Sequence, residues 1–301
     1  MLIRSFKPIS QAFSQALAPT NTALLNLNNR SFCEWKPNVP KFQVRLNKAT
    51  FHMAHPVWDP KDVERVEVSH RPPQDYKDWI AYKVIRTLRV SFDWISGYKH
   101  GQVNEAGYLA RILFLEVIAG VPGMIGGMLR HLRSLGTFQR DRGWIHHLLE
   151  EAENERMHLF AFLEVKQPGW LFRMGIIGAQ AAFIVVFSAL YLASSKSAHR
   201  FVGYLEEEAV KTYTMCIQEL DEGKLPEWAA IQAPDLAKEY WALGPSASFR
   251  DMLLAVRADE VMHRELNHHL ADLKSDAPAE KFQVSVEDWK VEKAQKEEKK
   301  Q

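Results

Sequence analysis

The feature that most constrains this chain is a pair of Glu-x-x-His motifs, Glu155–His158 and Glu260–His263. Residues three apart on an α-helix share a face, so each motif points a carboxylate and an imidazole the same way. The apolar residues on the face of the first motif are Leu148, Ala152, Leu159 and Phe162. Buried groups of this kind are unfavourable unless partners or a metal ion satisfy them. One such motif also fits a charged surface helix, whereas two predict helices that meet at a polar centre.

Two isolated glutamates complete this pattern. Glu116 is the sole acid in the apolar segment 112–122, so it needs a buried partner. Glu206 shares a helix face with Val202 and Ala209, and this places it inward, whereas its neighbour Glu207 is predicted to face solvent. In the run from Glu150 to His158, only Glu155 and His158 are predicted to be ligands, with the other glutamates solvated.

The order Glu, Glu-x-x-His, Glu, Glu-x-x-His is the ligand set of ferritin-like di-iron and di-manganese carboxylate bundles. Four carboxylates carry a charge of −4, which balances two divalent ions. Oxygen and imidazole ligands without thiolate favour iron or manganese over zinc. The predicted fold is therefore all-α, a ferritin-like di-iron four-helix bundle with additional helices. The predicted metal ligands are Glu116, Glu155, His158, Glu206, Glu260 and His263.

Residues 171–193 form the most hydrophobic segment of the chain, long enough to cross a bilayer. The ligands Glu155 and His158 precede this segment and Glu206 follows it. A spanning helix would place them on opposite sides of a hydrocarbon core about 30 Å thick. The segment is therefore expected to return within the bundle or to lie along the membrane surface, which makes the protein monotopic. The basic residues that flank the apolar segments, and that suit anionic headgroups, are Arg130, Arg133, Arg140, Arg142, Arg173, Lys196 and Arg200.

The ends of the chain differ in composition from its middle. Residues 1–33 contain no acidic residue and several basic ones, which predicts a mitochondrial transit peptide rather than a plain N-terminal tail. Residues 34–80 are proline-spaced and predict an extended arm over the surface of this chain or of a partner subunit. The helical bundle domain is assigned to 81–275, and a charged C-terminal tail to 276–301. A net charge of +1 gives no reason to expect nucleic-acid binding, and two cysteines without a CxxC pair exclude a disulfide framework.

Five short blocks carry a resemblance to the mitochondrial alternative oxidases. They are Leu115-Glu116, Val121-Pro122-Gly123-Met124, Glu151 to Leu159 (EAENERMHL), Tyr204 to Ala209 (YLEEEA) and Arg257 to Glu260 (RADE). These blocks are specific to that family, and the similarity extends over about residues 86–273. The chain departs from many members at Val261-Met262, but both positions lie between ligands.

The resemblance implies a cyanide-insensitive ubiquinol oxidase with two Fe ions, and 81–275 would be its oxidase domain. Such an enzyme reduces dioxygen to water without pumping protons, bypasses the cytochrome pathway, and lies as a homodimer on the matrix side of the mitochondrial inner membrane. The resemblance gives Tyr213 as a catalytic redox tyrosine. Residues that orient the ligands are Asn154, Asp259 and His199. The quinol-binding residues are Arg111, Leu115, Leu205, Ala209 and Thr212.

Two further expectations concern regulation and rival functions. Plant members of the family are controlled through an N-terminal cysteine, but here Cys33 falls at the presumed cleavage point, so no such control is expected. A di-iron hydroxylase of quinone biosynthesis could use the same metal cage, and product analysis would separate the two. An iron-storage or non-catalytic helical protein fits less well with the apolar surface and its basic rim. A plastid relative is disfavoured by the N-terminus.

Overall fold

A computed structural model describes residue 53 and residues 55–99 and 103–279. These residues form nine helices and, within the part described, no strand beyond one isolated bridge between Gln232 and Ser248. The all-α prediction is confirmed. In chain order the helices are α1 Pro60–Val63, α2 Tyr76–Ile95, α3 Glu105–Thr137, α4 Trp144–Val165, α5 Trp170–Ala193, α6 Ser195–Asp221, α7 Pro226–Ala229, α8 Asp235–Tyr240 and α9 Phe249–Asp272. The predicted transit peptide lies outside the described residues.

Four long helices, α3, α4, α6 and α9, form the bundle that carries the predicted ligands. The helices pack mainly as two pairs, α3 with α4 and α6 with α9. Gly123 allows the first pair to approach closely, because a Cβ there would lie 2.4 Å from the Leu148 carbonyl oxygen. Local signals set the ends of the helices. Asn104 accepts a hydrogen bond from the Gly107 N–H, and Ser248 forms a capping box at the start of α9.

Helix α5 is the hydrophobic segment that the sequence singled out. It packs on α3 and α6 through a narrow stripe that includes Ile176, Phe187 and Tyr191. Only 17% of its most apolar window is buried, against 50% for α3, the other described helix that is long and apolar enough to cross a membrane. The large exposed side chains of α5 are Trp170, Leu171, Met174, Ile177, Ile184, Val185, Val186 and Leu192. Because α5 packs against the bundle, side chains of the preceding helix α4 and of the following helix α6 can reach the same centre.

The described parts of the two terminal segments pack on the bundle of their own chain. His55 Nε2 lies 2.6 Å from the Tyr240 carbonyl oxygen. The predicted arm ends at Asp75, whose side chain caps α2, so residues 76–80 are helical. At the other end, Ala279 is fully buried and its N–H donates to the Arg142 carbonyl oxygen at 3.0 Å. Residues 276–279 therefore pack against the bundle, while the rest of the predicted tail lies outside the described residues.

Candidate metal centre

The six predicted ligands come together at the centre of the four-helix bundle. They form two groups, and within each group one ligand atom from every residue lies within 4.8 Å of the others. The first group is Glu116, Glu155, His158 and Glu260, and the second is Glu155, Glu206, Glu260 and His263. Glu155 and Glu260 belong to both groups. None of the six residues is more than 5% exposed.

The imidazoles of the two motifs point into the carboxylates. His263 Nδ1 lies 2.7 Å from Glu155 Oε1. His158 Nδ1 lies 3.3 Å from Glu116 Oε2 and 3.4 Å from Glu260 Oε1. The contacts thus link α3, α4 and α9 through one polar centre.

Many polar atoms at this centre, including the close pair His263 Nδ1 and Glu155 Oε1, form no hydrogen bond of normal geometry with a described residue. Buried side-chain polar atoms in folded proteins are nearly always satisfied, so a local concentration of unsatisfied ones needs an explanation. The atoms are Glu116 Oε2, Glu155 Oε1 and Oε2, His158 Nδ1, Glu260 Oε2, and both ring nitrogens of His263. Carboxylate oxygens and imidazole nitrogens are ligand atoms for iron and manganese. The residues therefore fit a metal centre.

Electrostatics at the site lead to the same conclusion. Burial raises the pKa of Glu116 to about 8 and that of Glu206 well above its usual range. Burial also disfavours the Glu155 carboxylate, but the His158 and His263 imidazoles outweigh it and lower the pKa of Glu155 to about 2. These opposed directions are those expected of carboxylates that share a closed site, and divalent ions would supply the positive charge that favours the ionised form of all four.

Asp259 holds one ligand imidazole in place. Its carboxylate is fully buried and lies 3.2 Å from His158 Nε2, so that Nδ1 is left to face the ligand carboxylates. It accepts hydrogen bonds from Trp58 Nε1 at 2.6 Å, Trp241 Nε1 at 2.7 Å and Asn154 Nδ2 at 3.0 Å. This arrangement fixes the ring orientation of a metal-binding histidine. The family resemblance named Asp259 and Asn154 but neither tryptophan, and both tryptophans lie in segments without helical periodicity.

His199 acts on the centre at one remove. Its Nδ1 lies 2.9 Å from Asn267 Oδ1, and Asn267 Nδ2 donates to the His263 carbonyl oxygen at 3.0 Å and to Glu151 Oε2 at 2.9 Å. Burial lowers the pKa of His199 to about 4, so the ring is neutral at pH 7. The prediction that Glu151 is solvated was wrong, because this carboxylate is only 3% exposed and bonded to Asn267. Burial raises its pKa to about 7.

The prediction that Glu207 faces solvent was also wrong. Its side chain is buried under the N-terminal arm. His70 Nδ1 lies 2.6 Å from Glu207 Oε2, while the Arg71 N–H donates to Oε1 at 2.9 Å. His268 Nε2 lies 2.9 Å from the same Oε1. The helical periodicity of α6 places Glu207 correctly away from Glu206, but it says nothing of the arm that covers that face.

Tyr213 lies at the centre, as its spacing from Glu206 predicts. It is buried, and its hydroxyl donates a hydrogen bond to Glu116 Oε1. The pKa of Tyr213 is raised well above its usual range. Burial is the largest cause, and the nearby Glu116 charge is the second largest. The phenol is therefore protonated and in contact with a predicted ligand.

The predicted quinol residues lie beside α2. Arg111 is buried, donates to Ser96 Oγ and Asp93, and packs its guanidinium against Tyr98 at 4.2 Å from the ring centroid. Thr212 Oγ1 accepts a hydrogen bond from Arg89 at 2.8 Å. Both polar groups are thus held by α2 side chains that the sequence did not assign to the pocket. The three apolar members are half-buried, namely Leu115, Leu205 and Ala209.

Comparison with known proteins agrees with the geometry. A family model described as "Alternative oxidase" matches residues 58–272. The mitochondrial alternative oxidase of Emericella nidulans is 46% identical over 265 residues, which cover 84% of this chain and 73% of that protein. The relative from Ajellomyces capsulatus is 48% identical over 249 residues, covering 78% and 70%. The one from Trypanosoma brucei brucei is 46% identical over 247 residues, covering 82% and 74%. The chain is an oxidoreductase that belongs to the alternative oxidase family.

Proposed function

We propose that this protein is a non-electrogenic terminal oxidase that oxidises ubiquinol and reduces dioxygen to water at a di-iron carboxylate centre. The observation that carries the proposal is the doubled ligand cluster, in which Glu155 and Glu260 belong to both groups. Electron transfer from ubiquinol to dioxygen by this enzyme would bypass the proton-pumping cytochrome pathway.

Two Fe ions would be held by Glu116, Glu155, His158, Glu206, Glu260 and His263. Their −4 carboxylate charge offsets two divalent ions, and the absence of thiolate in the cluster favours iron over softer metals. When bound, such an iron pair supplies a place for dioxygen and the electrons that reduce it. The apolar walls of the bundle keep bulk water from this centre, since every ligand is buried.

The surrounding residues orient ligands and move protons. Asp259 fixes the His158 ring, with Asn154 as one of its donors, and His199 acts through Asn267 on the backbone of His263. We assign Tyr213 as a catalytic residue. In the reduction of dioxygen it would serve as a one-electron donor, and the proton lost from its phenol would pass to Glu116 Oε1, the atom that it already contacts.

Ubiquinol would bind beside α2. Arg111 would donate a hydrogen bond to one ring oxygen of the quinol. Thr212 Oγ1, whose own hydrogen is donated to the Glu208 carbonyl oxygen, would accept one from a quinol hydroxyl. The apolar side chains of Leu115, Leu205 and Ala209 would hold the ring. A quinol that approached from the membrane would reach these residues along α2, which exposes apolar side chains such as Trp94 and Ile95.

We further propose that the protein lies monotopically on the matrix side of the mitochondrial inner membrane, as a homodimer. The broad exposed apolar face of α5 supports contact with lipid. The relatives named above are mitochondrial proteins by name, and the acid-poor N-terminal segment agrees with import into that organelle. Its partners would be ubiquinol, dioxygen and the lipid surface.

Cyanide-resistant quinol oxidation by the purified protein tests the proposal. Glu155→Ala and His158→Ala should each abolish both iron binding and quinol-dependent oxygen uptake. Glu150→Ala, on the same helix but outside the cluster, should retain both. Oxygen uptake that survives in either ligand variant would contradict the assignment. A hydroxylated quinone as product, instead of water and quinone, would assign the protein to the di-iron hydroxylases.

A further inference from the structure

A cleft of about 690 Å³ opens at one end of the bundle, away from the metal centre. It lies between the last turns of α3, the turn that leads to α4, and the segment that follows α9. Four arginines line it against two aspartates, which gives a net charge of +2. The arginines are Arg130, Arg133, Arg140 and Arg142, and the aspartates are Asp141 and Asp276.

Arg130 forms the buried floor of this arginine cleft. Its Nε donates to Asp141 Oδ1 at 2.6 Å and its Nη2 to the Ser275 carbonyl oxygen at 3.0 Å. The guanidinium also packs over the Trp144 ring, 4.0 Å from the centroid. Asp141 is therefore already neutralised. The two outer arginines, Arg133 and Arg140, are exposed and form no ion pair with any residue in the described part of the chain.

The arginine cleft adjoins the apolar surface of α5. Arg130 and Arg133 lie close enough to the Tyr191 hydroxyl for their charges to act on it. The next residue, Leu192, is 73% exposed, and Phe138, at the start of the turn, is 97% exposed. Positive charge without a partner thus lies beside exposed apolar side chains, as is typical of the boundary between headgroups and acyl chains.

Among the described residues, the two aspartates of the cleft leave two of its four arginine charges uncompensated. Residues 280–301, which follow the segment lining the cleft, carry six acidic residues and six lysines, and so have no net charge. An external anion is the better fit. Guanidinium groups match the planar, two-oxygen geometry of phosphate, and several of them around one concavity favour a phosphate over a single carboxylate.

We propose that the arginine cleft binds the phosphate of an anionic phospholipid headgroup at the end of α5. Arg133 and Arg140 would contact the phosphate, and the buried Arg130 would hold the floor. The inference rests on the membrane association proposed above, and it adds a lipid preference that an apolar face alone does not give. Free phosphate shares this chemistry, so the test must separate the two sources.

The test compares the purified full chain with its Arg133→Gln/Arg140→Gln variant. Flotation measures the binding of each protein to phosphatidylcholine vesicles and to vesicles that also contain phosphatidylglycerol. Each arginine near an anionic surface contributes about fivefold to binding, so the pair should contribute about 30-fold. That loss should appear with the anionic vesicles alone. Binding to phosphatidylcholine, quinol oxidation in detergent and the melting temperature should stay unchanged, because neither side chain forms an ion pair with any described residue.

Lys166→Gln/Arg173→Gln is the matched control, since it removes the same charge at the opposite end of α5. It should lose less binding to anionic vesicles than the first variant, because neither residue lines the arginine cleft. The proposal would be overturned if the two double variants lost binding to anionic vesicles equally. It would also be overturned if Arg133→Gln/Arg140→Gln lost none. Saturable binding of inorganic phosphate without any effect on vesicles would assign the cleft to a soluble ligand and also overturn it. Failure to bind even phosphatidylcholine would instead contradict the membrane association itself.

Discussion

Asp259→Asn should destabilise the protein and weaken its hold on metal, although the change adds no bulk. The buried carboxylate takes the Trp58 hydrogen bond on Oδ1 and those of Trp241 and Asn154 on Oδ2. An asparagine keeps only one of these oxygens, and its amide hydrogens would face at least one indole N–H. The variant loses one hydrogen bond to a charged acceptor and leaves a buried donor unpaired. Together these changes should lower the free energy of unfolding by about 3–5 kcal/mol.

For a chain of this size, that loss should lower the melting temperature by about 10 °C, measured in detergent by circular dichroism. Loss of an oriented ligand imidazole should also weaken iron binding by about 10–100-fold, measured by competition with a chelator. Trp58→Phe is the control, since it removes one donor and leaves the Asp259 charge beside His158. Trp58→Phe should lower the melting temperature by less than Asp259→Asn does, and the protein should still bind iron. An Asp259→Asn protein with the stability and iron affinity of the parent would refute the role assigned to this carboxylate.

Four further predictions follow from individual contacts. Tyr213→Phe should keep both iron ions but lower quinol-dependent oxygen uptake at least tenfold, because only the phenol hydroxyl that touches Glu116 is removed; equal loss of iron and activity would point to a structural role. Iron binding to the metal-free protein should release protons and strengthen as the pH rises toward about 8, because burial keeps Glu116 protonated below that pH and a ligand must be ionised. Calorimetry in buffers of different ionisation enthalpy checks this, and uptake of protons would contradict it. Gly123→Ala should destabilise the bundle by more than about 2 kcal/mol, because its Cβ would meet backbone, whereas Gly136→Ala, with open space around it, should stabilise α3 by about 0.5–1 kcal/mol. Pyruvate or a thiol reductant should not activate the mature protein, since Cys216 is fully buried; activation of several-fold would refute this.

The cluster of Glu and His side chains at the centre of the bundle could be predicted from the sequence because its signals are local. The spacing within each Glu-x-x-His motif and the isolation of Glu116 among apolar residues are visible without knowledge of the fold. The capping box at Ser248 likewise depends on a few consecutive residues. These features define four helices and the faces that they turn inward.

The failures share one physical cause, which is coverage by a segment distant in sequence. Glu207 is buried because His70 and Arg71 of the arm fold over α6. Glu151 is buried because Asn267 of α9 bonds it across the bundle. Trp58 lies 201 residues from its partner Asp259, so no helical period could have revealed the bond.

The most direct test of the account is the metal content of the purified protein, measured together with quinol-dependent oxygen uptake in the presence of cyanide. We expect two iron ions per chain. Glu155→Ala should lose both the iron and the oxygen uptake, because this carboxylate belongs to both groups of the cluster. A protein without iron that still oxidises ubiquinol, or a Glu155→Ala variant that keeps two iron ions, would contradict the central claim.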